Sequence, residues 1–380
     1  AINKEFNVNL KTTVLFETGN IRKLSEYLLE NYSVAENDKD EENVSESLLN
    51  NVTDEESEFK AVVLRKSGDI SDIEICNITP KPPEYGEVQV IVKAFSLNFG
   101  DLLCVQGLYP TMPDYPFIPG FEFSGIIVKL GPGVTGYNIG DEVIGLTDSR
   151  MGAQSGIITV TANALTRKPG DVSFEEACAF PVVFMTVHHI FESIRVRENE
   201  KILIQSAAGG TGLIAVQYAL AKGLDVYATA GSDAKLEYLA GMGVKHLINY
   251  STHDFKQEIL RMTENKGVDI VINTLSGEAI QKGMDILAPG GRYVELAMTG
   301  LKNSAKLDLS KFTHNQMFVS IDLRRVMLSD ADIVSKYLKQ VSETLAEGRI
   351  RPTVGKQFDF SDVIKAYEFI SHRENIGKIV

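Results

Sequence analysis

The sequence predicts an α/β protein in which a β-rich, barrel-like domain is combined with a doubly wound parallel sheet. Between residues 59 and 180, short β-type runs such as FKAVVLR and EVQVIVKAFSLN are separated by turns rich in Gly and Pro, which is typical of antiparallel strands. From about residue 181, strands alternate with helices, beginning with KILIQSA and GGTGLIAVQYALAKG. This alternation predicts right-handed βαβ units and therefore a parallel sheet.

The composition indicates a folded protein without affinity for polyanions. The chain has 380 residues, of which 44% are hydrophobic, and its formal net charge is −13. This charge argues against a general nucleic-acid or anionic-membrane binder. The three cysteines, Cys76, Cys104 and Cys178, form no Cys-x-x-Cys motif, as expected in a reducing compartment. We expect a cytoplasmic protein without a signal peptide or a membrane span.

Two segments precede the β-rich domain. In residues 1–32, an amphipathic helical stripe is formed by Ile21, Leu24, Leu28 and Leu29. Residues 33–58 are acidic and rich in Ser and Asn, with NDKDEENVSES at the centre, which is typical of a solvated linker. Because the chain begins with Ala, we expect it to be a fragment of a longer protein.

After residue 323 the chain is predicted to return to the first domain. A strand-like TVGKQFDF lies between two helical stretches, and the closing NIGKIV is typical of a final strand. The predicted domains are therefore residues 59–180 with 324–380, and residues 181–323. Within the second domain, GEAIQKGMDILAPGG is predicted as a helix and RYVELA as the strand that follows it.

The glycine-rich loop AAGGTG lies between a predicted strand and a predicted helix, as in the dinucleotide-binding βα turn. Its spacing is Ala207-x-Gly209-x-x-Gly212, with Ala in place of the usual first glycine. Gly209 would let a pyrophosphate approach the backbone, Gly212 would allow close helix–strand packing, and the helix N-terminus would supply free N–H groups. We predict cofactor contacts from Ala208, Gly209, Gly210, Thr211 and Gly212; a tight turn without a ligand is the alternative.

The segment after the next strand favours NADPH over NADH. In YATAGSDAKLEYL the strand ends without a carboxylate for the ribose hydroxyls, since Asp233 comes two residues late. Ser232 and Lys235 could instead hold a 2′-phosphate. The alternative is an ordinary surface helix with an N-cap serine and a solvated lysine.

Several segments together resemble one family. SLNFGDLLCVQGLYP, IPGFEFSGIIVKLGPGVTGYNIGDEVIG and NTLSGEAIQKGMDILAPGGRYVE resemble the quinone-reductase branch of the medium-chain dehydrogenase/reductase superfamily. Within it they are most similar to the enoyl reductase domains of modular polyketide synthases and fatty acid synthases. The resemblance covers residues 59–380 and implies a GroES-like substrate domain with a Rossmann domain. Residues 1–32 resemble the last two helices of a polyketide-type acyl carrier protein, although an ordinary helical cap would share this pattern.

The residues argue against a zinc enzyme. Zinc alcohol dehydrogenases of this superfamily place a Cys ligand in the segment that here reads NFGD and a His ligand in PGFEF. Asn98 and Phe121 stand at those places. Glu122 alone cannot bind the metal, and the chain has no four cysteines for a structural site. We therefore expect that the protein holds no metal and that hydride transfer proceeds without a Lewis acid.

The resemblance implies NADPH-dependent reduction of the α,β double bond of an enoyl thioester, with hydride delivered to Cβ and a proton to Cα. The implied partners are an acyl chain on the phosphopantetheine of an acyl carrier protein and neighbouring synthase domains. The oligomeric state, monomer or homodimer, stays open. The alternatives are a cyclopropane-forming variant, a stand-alone quinone or alkenal reductase, and an inactive structural domain.

The resemblance also implies catalytic roles. Tyr109 matches a candidate proton donor to Cα. Lys235 and Asp254 match a lysine and an aspartate near the active site, although Lys235 suits a phosphate and Asp254 could simply cap the following helix. Asn98 lies where relatives approach the nicotinamide and substrate.

Further cofactor contacts are implied at Thr186, Tyr250, Leu275, Ala297 and Lys378. Many relatives read Gly-Lys after the GRYVE strand, where this chain has Ala297 and Met298. The lysine of those relatives is therefore missing at this place. Separately, His188 and His189 are expected to have structural roles.

Overall fold

The computed structural model describes residues 58–296 and 307–380 of the chain. It confirms the predicted α/β class, with an antiparallel sheet and a parallel sheet flanked by helices. The predicted carrier-like tail, almost all of the predicted acidic linker, and Ala297 with Met298 lie outside the described residues. Among the helices that the structure describes, none combines the length and the apolar character that a membrane span requires.

The first domain is built on antiparallel strands. Its elements are β1 (Phe59–Val63), β2 (Glu74–Ile78), β3 (Glu87–Phe95), α1 (Phe99–Val105), β4 (Glu122–Leu130), β5 (Glu142–Leu146), β6 (Ile157–Thr161), β7 (Leu165–Arg167) and α2 (Phe174–Cys178). Five strands form one sheet in the order β6-β3-β4-β5-β7, and β1 pairs with β2. Val90 of β3 and Phe123 of β4 are fully buried in one cluster, because alternate side chains of a strand point to the same face.

The second domain contains a parallel sheet of six strands. Its elements are α3 (Pro181–Ile194), β8 (Lys201–Ile204), α4 (Gly210–Ala221), β9 (Asp225–Ala230), α5 (Asp233–Gly241), β10 (His246–Asn249), α6 (Phe255–Met262), β11 (Val268–Asn273), α7 (Glu278–Asp285), β12 (Leu287–Glu295) and β13 (Met317–Ser320). The strand order is β10-β9-β8-β11-β12-β13, so the winding reverses between β8 and β11. Ligands of such sheets bind beyond the carboxyl ends of the strands at this reversal.

The last segment packs against both domains. Its elements are α8 (Leu323–Ser329), α9 (Ala331–Glu347), β14 (Val354–Lys356), α10 (Val363–Ser371) and β15 (Lys378–Ile379). Leu338 of α9 shares a core cluster with Ile190 of α3, whereas Tyr367 of α10 is buried with Leu102 of α1. Because α9 packs against the second domain and α10 against the first, the predicted assignment of all of residues 324–380 to the first domain stays a prediction.

One predicted element is wrong in extent. The sequence predicts a helix over residues 277–291, but α7 ends at Asp285 and β12 begins at Leu287. Leu287 pairs with Val268 of β11. Pro289 has no N–H group and cannot continue a helix, and Gly290 has a φ of +72°, which favours glycine. Strand pairing with β11 therefore overrides the helical pattern.

Candidate active site

A cavity of about 750 Å³ extends from the glycine-rich loop to the first domain. It brings together most of the predicted site residues. Those that line it are Asn98, Tyr109, Thr186, Ala208, Gly209, Gly210, Thr211, Gly212, Lys235, Tyr250, Leu275 and Lys378. The residues predicted to contact the cofactor and those predicted to contact the substrate therefore line the same cavity.

The glycine-rich loop connects β8 to α4 at the carboxyl edge of the parallel sheet. A Cβ atom at Gly212 would lie 2.6 Å from the Cα atom of Ala207, so only glycine allows this close approach of helix and turn. Gly209 has open space beside it, with Ser206 O as the nearest atom at 3.4 Å. Because α4 begins at Gly210, its first N–H groups have no carbonyl acceptor within the helix and can bind phosphate oxygens.

The end of the chain lies directly on this loop. The Gly377 N–H donates to Ala208 O at 2.8 Å, and Gly209 and Gly377 form an isolated parallel bridge. A Cβ atom at Gly210 would lie 2.6 Å from Cδ of Lys378, so the lysine side chain crosses the loop where Gly210 leaves room. The last residues of the chain thus form part of the same cavity wall as the loop.

A buried cluster around Glu122 joins the two domains. Glu122 is 0% exposed and Lys378 is 4% exposed. The carboxylate of Glu122 accepts hydrogen bonds from Lys378 Nζ at 2.8 Å, Asn98 Nδ2 at 3.0 Å, Ser96 Oγ at 2.6 Å and Val182 N at 2.7 Å. Lys378 Nζ also donates to Asn98 Oδ1 at 2.6 Å. A buried ion pair is tolerated when additional hydrogen bonds satisfy its remaining groups, as they do here.

Asp101 orients the backbone at Asn98. Its carboxylate accepts hydrogen bonds from Asn98 N at 2.8 Å and from Gln154 Nε2 at 3.0 Å. Burial raises the pKa of Asp101 to about 7, against the opposing effect of the hydrogen bond from Asn98 N. The segment that carries Asn98 into the cavity is thus fixed from within the first domain.

Basic residues surround the end of β9. Lys235 lines the cavity and donates from Nζ to Arg373 O at 2.5 Å, while burial, together with Arg373, lowers the pKa of Lys235. The ring of Tyr250 packs over Gly231, where a Cβ atom would lie 2.9 Å from the tyrosine hydroxyl oxygen. The carboxylate of Asp233 accepts from Asn249 Nδ2 at 2.7 Å.

Tyr109 and Phe121 of the first domain and Arg324 of α8 lie side by side in the cavity wall. The rings of Tyr109 and Phe121 meet edge to face, with centroids 5.1 Å apart. The guanidinium of Arg324 lies over the Phe121 ring at 5.1 Å. Burial raises the pKa of Tyr109, and Arg324 opposes this rise. At neutral pH the phenol therefore carries its proton.

Some predicted residues lie elsewhere. Asp254 does not line the cavity; its carboxylate caps α6 by accepting from Lys256 N and Gln257 N, and it pairs with Lys282 Nζ at 2.8 Å. The simple capping role is thus what the contacts support. Ser232 is exposed at the start of α5, outside the cavity lining.

Two of the predicted residues form hydrogen bonds within the protein, and two further residues of the site were not recognised in the sequence. Thr186 donates to Val182 O, and Leu275 O accepts from Asn273 Nδ2. Arg324 was missed because nothing in VSIDLRRV signals burial in a cavity wall. Glu122 was considered only as a zinc ligand, although its position after PGF coincides with the start of β4.

The residues do not fit zinc. In the part of the chain that the structure describes, no group of three or more His, Cys, Asp or Glu side chains could hold a metal ion. The carboxylate of Glu122 already has the ammonium group of Lys378 as its cationic partner. His188 and His189 bond through Nδ1 to the hydroxyl groups of Tyr218 and Tyr337.

Two family models match the chain. Residues 84–184 match the model described as alcohol dehydrogenase GroES-like domain, and residues 210–345 match the one described as zinc-binding dehydrogenase. The chain is 32% identical over 330 residues to a mycocerosic acid synthase-like polyketide synthase of Mycolicibacterium smegmatis. That match covers 87% of this chain and 16% of the synthase. The chain belongs to the medium-chain dehydrogenase/reductase superfamily.

Solved structures of this superfamily have the same fold. The CurK enoyl reductase is 28% identical with a TM-score of 0.75, and the match covers 84% of this chain and 98% of that one. The CurF ER cyclopropanase from the curacin A pathway has the same identity and coverage with a TM-score of 0.78. The Escherichia coli quinone oxidoreductase complexed with NADPH is 26% identical, with a TM-score of 0.76 and coverage of 84% and 99%.

These findings confirm the resemblance seen in the sequence and the combination of a GroES-like and a Rossmann-like domain. The chain spans about one sixth of the length of the polyketide synthase that it matches. It is an oxidoreductase of this superfamily, and its relatives indicate a nicotinamide cofactor.

The close packing at Gly212 leads to a testable prediction. Gly212→Ala adds a methyl group against the Ala207 backbone and should lower the free energy of unfolding by about 1–3 kcal/mol, as overpacking does. Gly241→Ala is the matched control, because Gly241 also lies in a helix and has nothing within 4 Å of its Cβ position. That variant should be neutral or up to about 1 kcal/mol more stable. Equal effects in urea unfolding would contradict the assigned role of Gly212.

Proposed function

We propose that this chain is the enoyl reductase domain of a polyketide synthase, which reduces the α,β double bond of a carrier-bound enoyl thioester with NADPH. The observation that carries the proposal is that Tyr109 and the glycine-rich loop line one cavity. The match to a polyketide synthase supports the substrate class. We propose further that it acts in the cytoplasm beside other synthase domains, as a monomer or a homodimer.

The residues of the second domain suit NADPH. The pyrophosphate would lie against the N–H groups of Gly210, Thr211 and Gly212 at the start of α4. Lys235 and Tyr250 would hold the 2′-phosphate, which a nearby carboxylate would repel. Asp233, the nearest acid in sequence, is bonded to Asn249. When bound, the nicotinamide supplies a hydride for Cβ of the substrate.

The residues of the first domain suit the protonation step. Tyr109 holds its proton at neutral pH because the ordinary pKa of a phenol is about 10, and burial raises the pKa of Tyr109 further. Its hydroxyl group is therefore available to protonate Cα, and solvent would restore the proton after each turnover. Asn98 and Lys378 are held by Glu122, and so they present a rigid wall beside the reacting groups.

Cyclopropane formation is a second candidate function, because the CurF structure of similar fold is a cyclopropanase. In that reaction the substrate enolate displaces a leaving group instead of accepting a proton. Tyr109 weighs against it, since a cyclising enzyme needs no proton donor at Cα.

The proposed activity is tested with the full chain, NADPH and the crotonyl thioester of pantetheine. We expect oxidation of NADPH and a product that has gained two hydrogens by mass spectrometry. A quinone substrate serves as the comparison. Reduction of the quinone with no conversion of the thioester would contradict the proposal and favour a stand-alone quinone reductase.

Replacement of Tyr109 tests the proton donor. Tyr109→Phe should lower the turnover of the crotonyl thioester by about 100-fold, the lower end of the range for general acid catalysis. With an α-methyl substrate it should also change the configuration at Cα. Tyr115→Phe is the control, because Tyr115 is a half-buried tyrosine of the same domain that lies outside the cavity lining and whose hydroxyl donates to Cys104 O and, weakly, to Met112 Sδ. If Tyr109→Phe leaves rate and stereochemistry unchanged, Tyr109 is not the donor.

Replacement of Lys235 tests the cofactor preference. Lys235→Met should weaken NADPH binding about tenfold or more, since hydrogen bonds to charged groups contribute about 1.5–3 kcal/mol. The affinity for NADH should change little, because NADH lacks the 2′-phosphate. Dissociation constants from nucleotide fluorescence titrations give both values. A wild-type preference for NADH, or equal losses for the two nucleotides, would contradict the assignment.

A further inference from the structure

We infer that Arg324 is a catalytic residue that binds the thioester oxygen of the substrate and stabilises the negative charge that develops there. The inference rests on the proposed reduction of an enoyl thioester. It goes beyond that proposal by naming the group that receives the charge, which neither the sequence motifs nor the cofactor site supplies.

Arg324 is a buried cation that forms no ion pair with a carboxylate of the described residues. It is 5% exposed. Within the described ranges its guanidinium donates to two backbone carbonyls, Thr147 O at 3.5 Å and Asp148 O at 2.7 Å, and its Nε atom has no hydrogen-bond partner. Asp101 and the Asp148 carboxylate act on it only through space. Buried charges are normally paired, so this site is built to receive a negative charge from a ligand.

Each of the other cations in the described cavity lining either bonds to a protein group or is exposed to solvent. Lys378 is paired with Glu122 at 2.8 Å. Lys235 bonds to a backbone carbonyl beside α5, and Arg373 is exposed. Among the described residues of the cavity lining, Arg324 therefore combines burial with an unpaired positive charge. Burial lowers the pKa of Arg324, which shows that its charge is held at a cost in this position.

Arg324 lies at the same wall as the proposed proton donor. Phe121 contacts both side chains, with 5.1 Å to the Tyr109 ring and 5.1 Å to the Arg324 guanidinium. Beneath the two rings is Gly100, where a Cβ atom would lie 2.9 Å from Phe121 and 3.0 Å from Tyr109. The neighbouring acid Asp322 also lines the cavity, but its carboxylate is bonded to Arg325.

The charge balance of the reaction explains why a fixed cation belongs there. With hydride supplied by a bound nicotinamide cofactor, a new C–H bond would form at Cβ, and the electron pair of the double bond would move towards the thioester oxygen, which would become negative. That pair then returns to re-form the carbonyl while Cα takes the proton of Tyr109, so the charge passes to the phenolate. A guanidinium beside both positions stabilises each anion in a site with little water.

The first test uses the wild-type protein saturated with NADPH and two small probes. Crotonate carries a negative charge where the thioester has its carbonyl, and crotonamide is its neutral counterpart of the same shape. We expect crotonate to bind at least tenfold more tightly in calorimetric titrations. Equal or weaker binding of crotonate would overturn the inference, and this result does not depend on whether any variant folds.

The second test compares variants in the same assays. Arg324→Met should lower kcat for the crotonyl thioester by about 100-fold or more, as loss of a group that binds a developing oxyanion does, and should abolish the preference for crotonate. Arg324→Lys should recover part of both. Arg349→Met is the matched control, an exposed arginine of the same last segment whose partner Glu347 lies outside the cavity lining, with the wild-type values expected. NADPH affinity and thermal unfolding check that the fold is intact.

The outcomes separate the two proposals. If the wild type does not reduce the thioester but binds crotonate through Arg324, the anion site stands and the proposed function fails. If the wild type reduces the thioester and a folded Arg324→Met variant keeps both kcat and crotonate binding within twofold of the wild type, the proposed function stands and the role of Arg324 is wrong.

Discussion

The pairing of Glu122 with Lys378 is the interaction on which the site depends. Neither residue can be buried alone, because an isolated charge in a protein interior costs several kcal/mol. Together they are satisfied by Asn98, by Ser96 and by the N–H of Val182. The four groups that bond Glu122 come from three separate parts of the chain, so the cluster forms only when the two domains and the chain end have assembled.

This cluster determines where the other groups of the cavity lie. Lys378 cannot reach Glu122 unless the chain end lies on the glycine-rich loop, where Gly377 bonds to Ala208 and Gly210 leaves space for the lysine stem. Val182 lies in the first turn of α3, so the same carboxylate also binds the start of that helix. Asn98 is held on the opposite side. The glycine-rich loop and the part of the cavity lining that contains Asn98 are thereby connected through one buried carboxylate.

Local patterns allowed much of the fold to be predicted. The alternation of strands and helices and the spacing of glycines in the loop each depend on neighbouring residues, and each indicated its structure. The helix over residues 277–291 was predicted too long because strand pairing with Val268 is a contact that periodicity does not reveal. Asp254 could be read both as a helix cap and as a site residue, and its contacts favour the cap.

Long-range pairings account for what the sequence could not indicate. Glu122 and Lys378 are 256 positions apart, and Arg324 lies 203 positions after Phe121, whose ring it covers. Burial of a charged side chain depends on tertiary packing, which has no local signature. Arginine in a polar helical segment is typical of a solvated surface, so the buried position of Arg324 emerged only from the folded chain.

A double-mutant cycle on the cluster tests the account most directly. Glu122→Gln should lower the free energy of unfolding by about 3–5 kcal/mol, because it leaves the Lys378 ammonium without its anionic partner. Adding Lys378→Met removes the stranded charge, so the double variant should be clearly more stable than the sum of the two single losses predicts. Additive losses in chemical unfolding would show that the two charges are not coupled and would contradict the central place given to this pair.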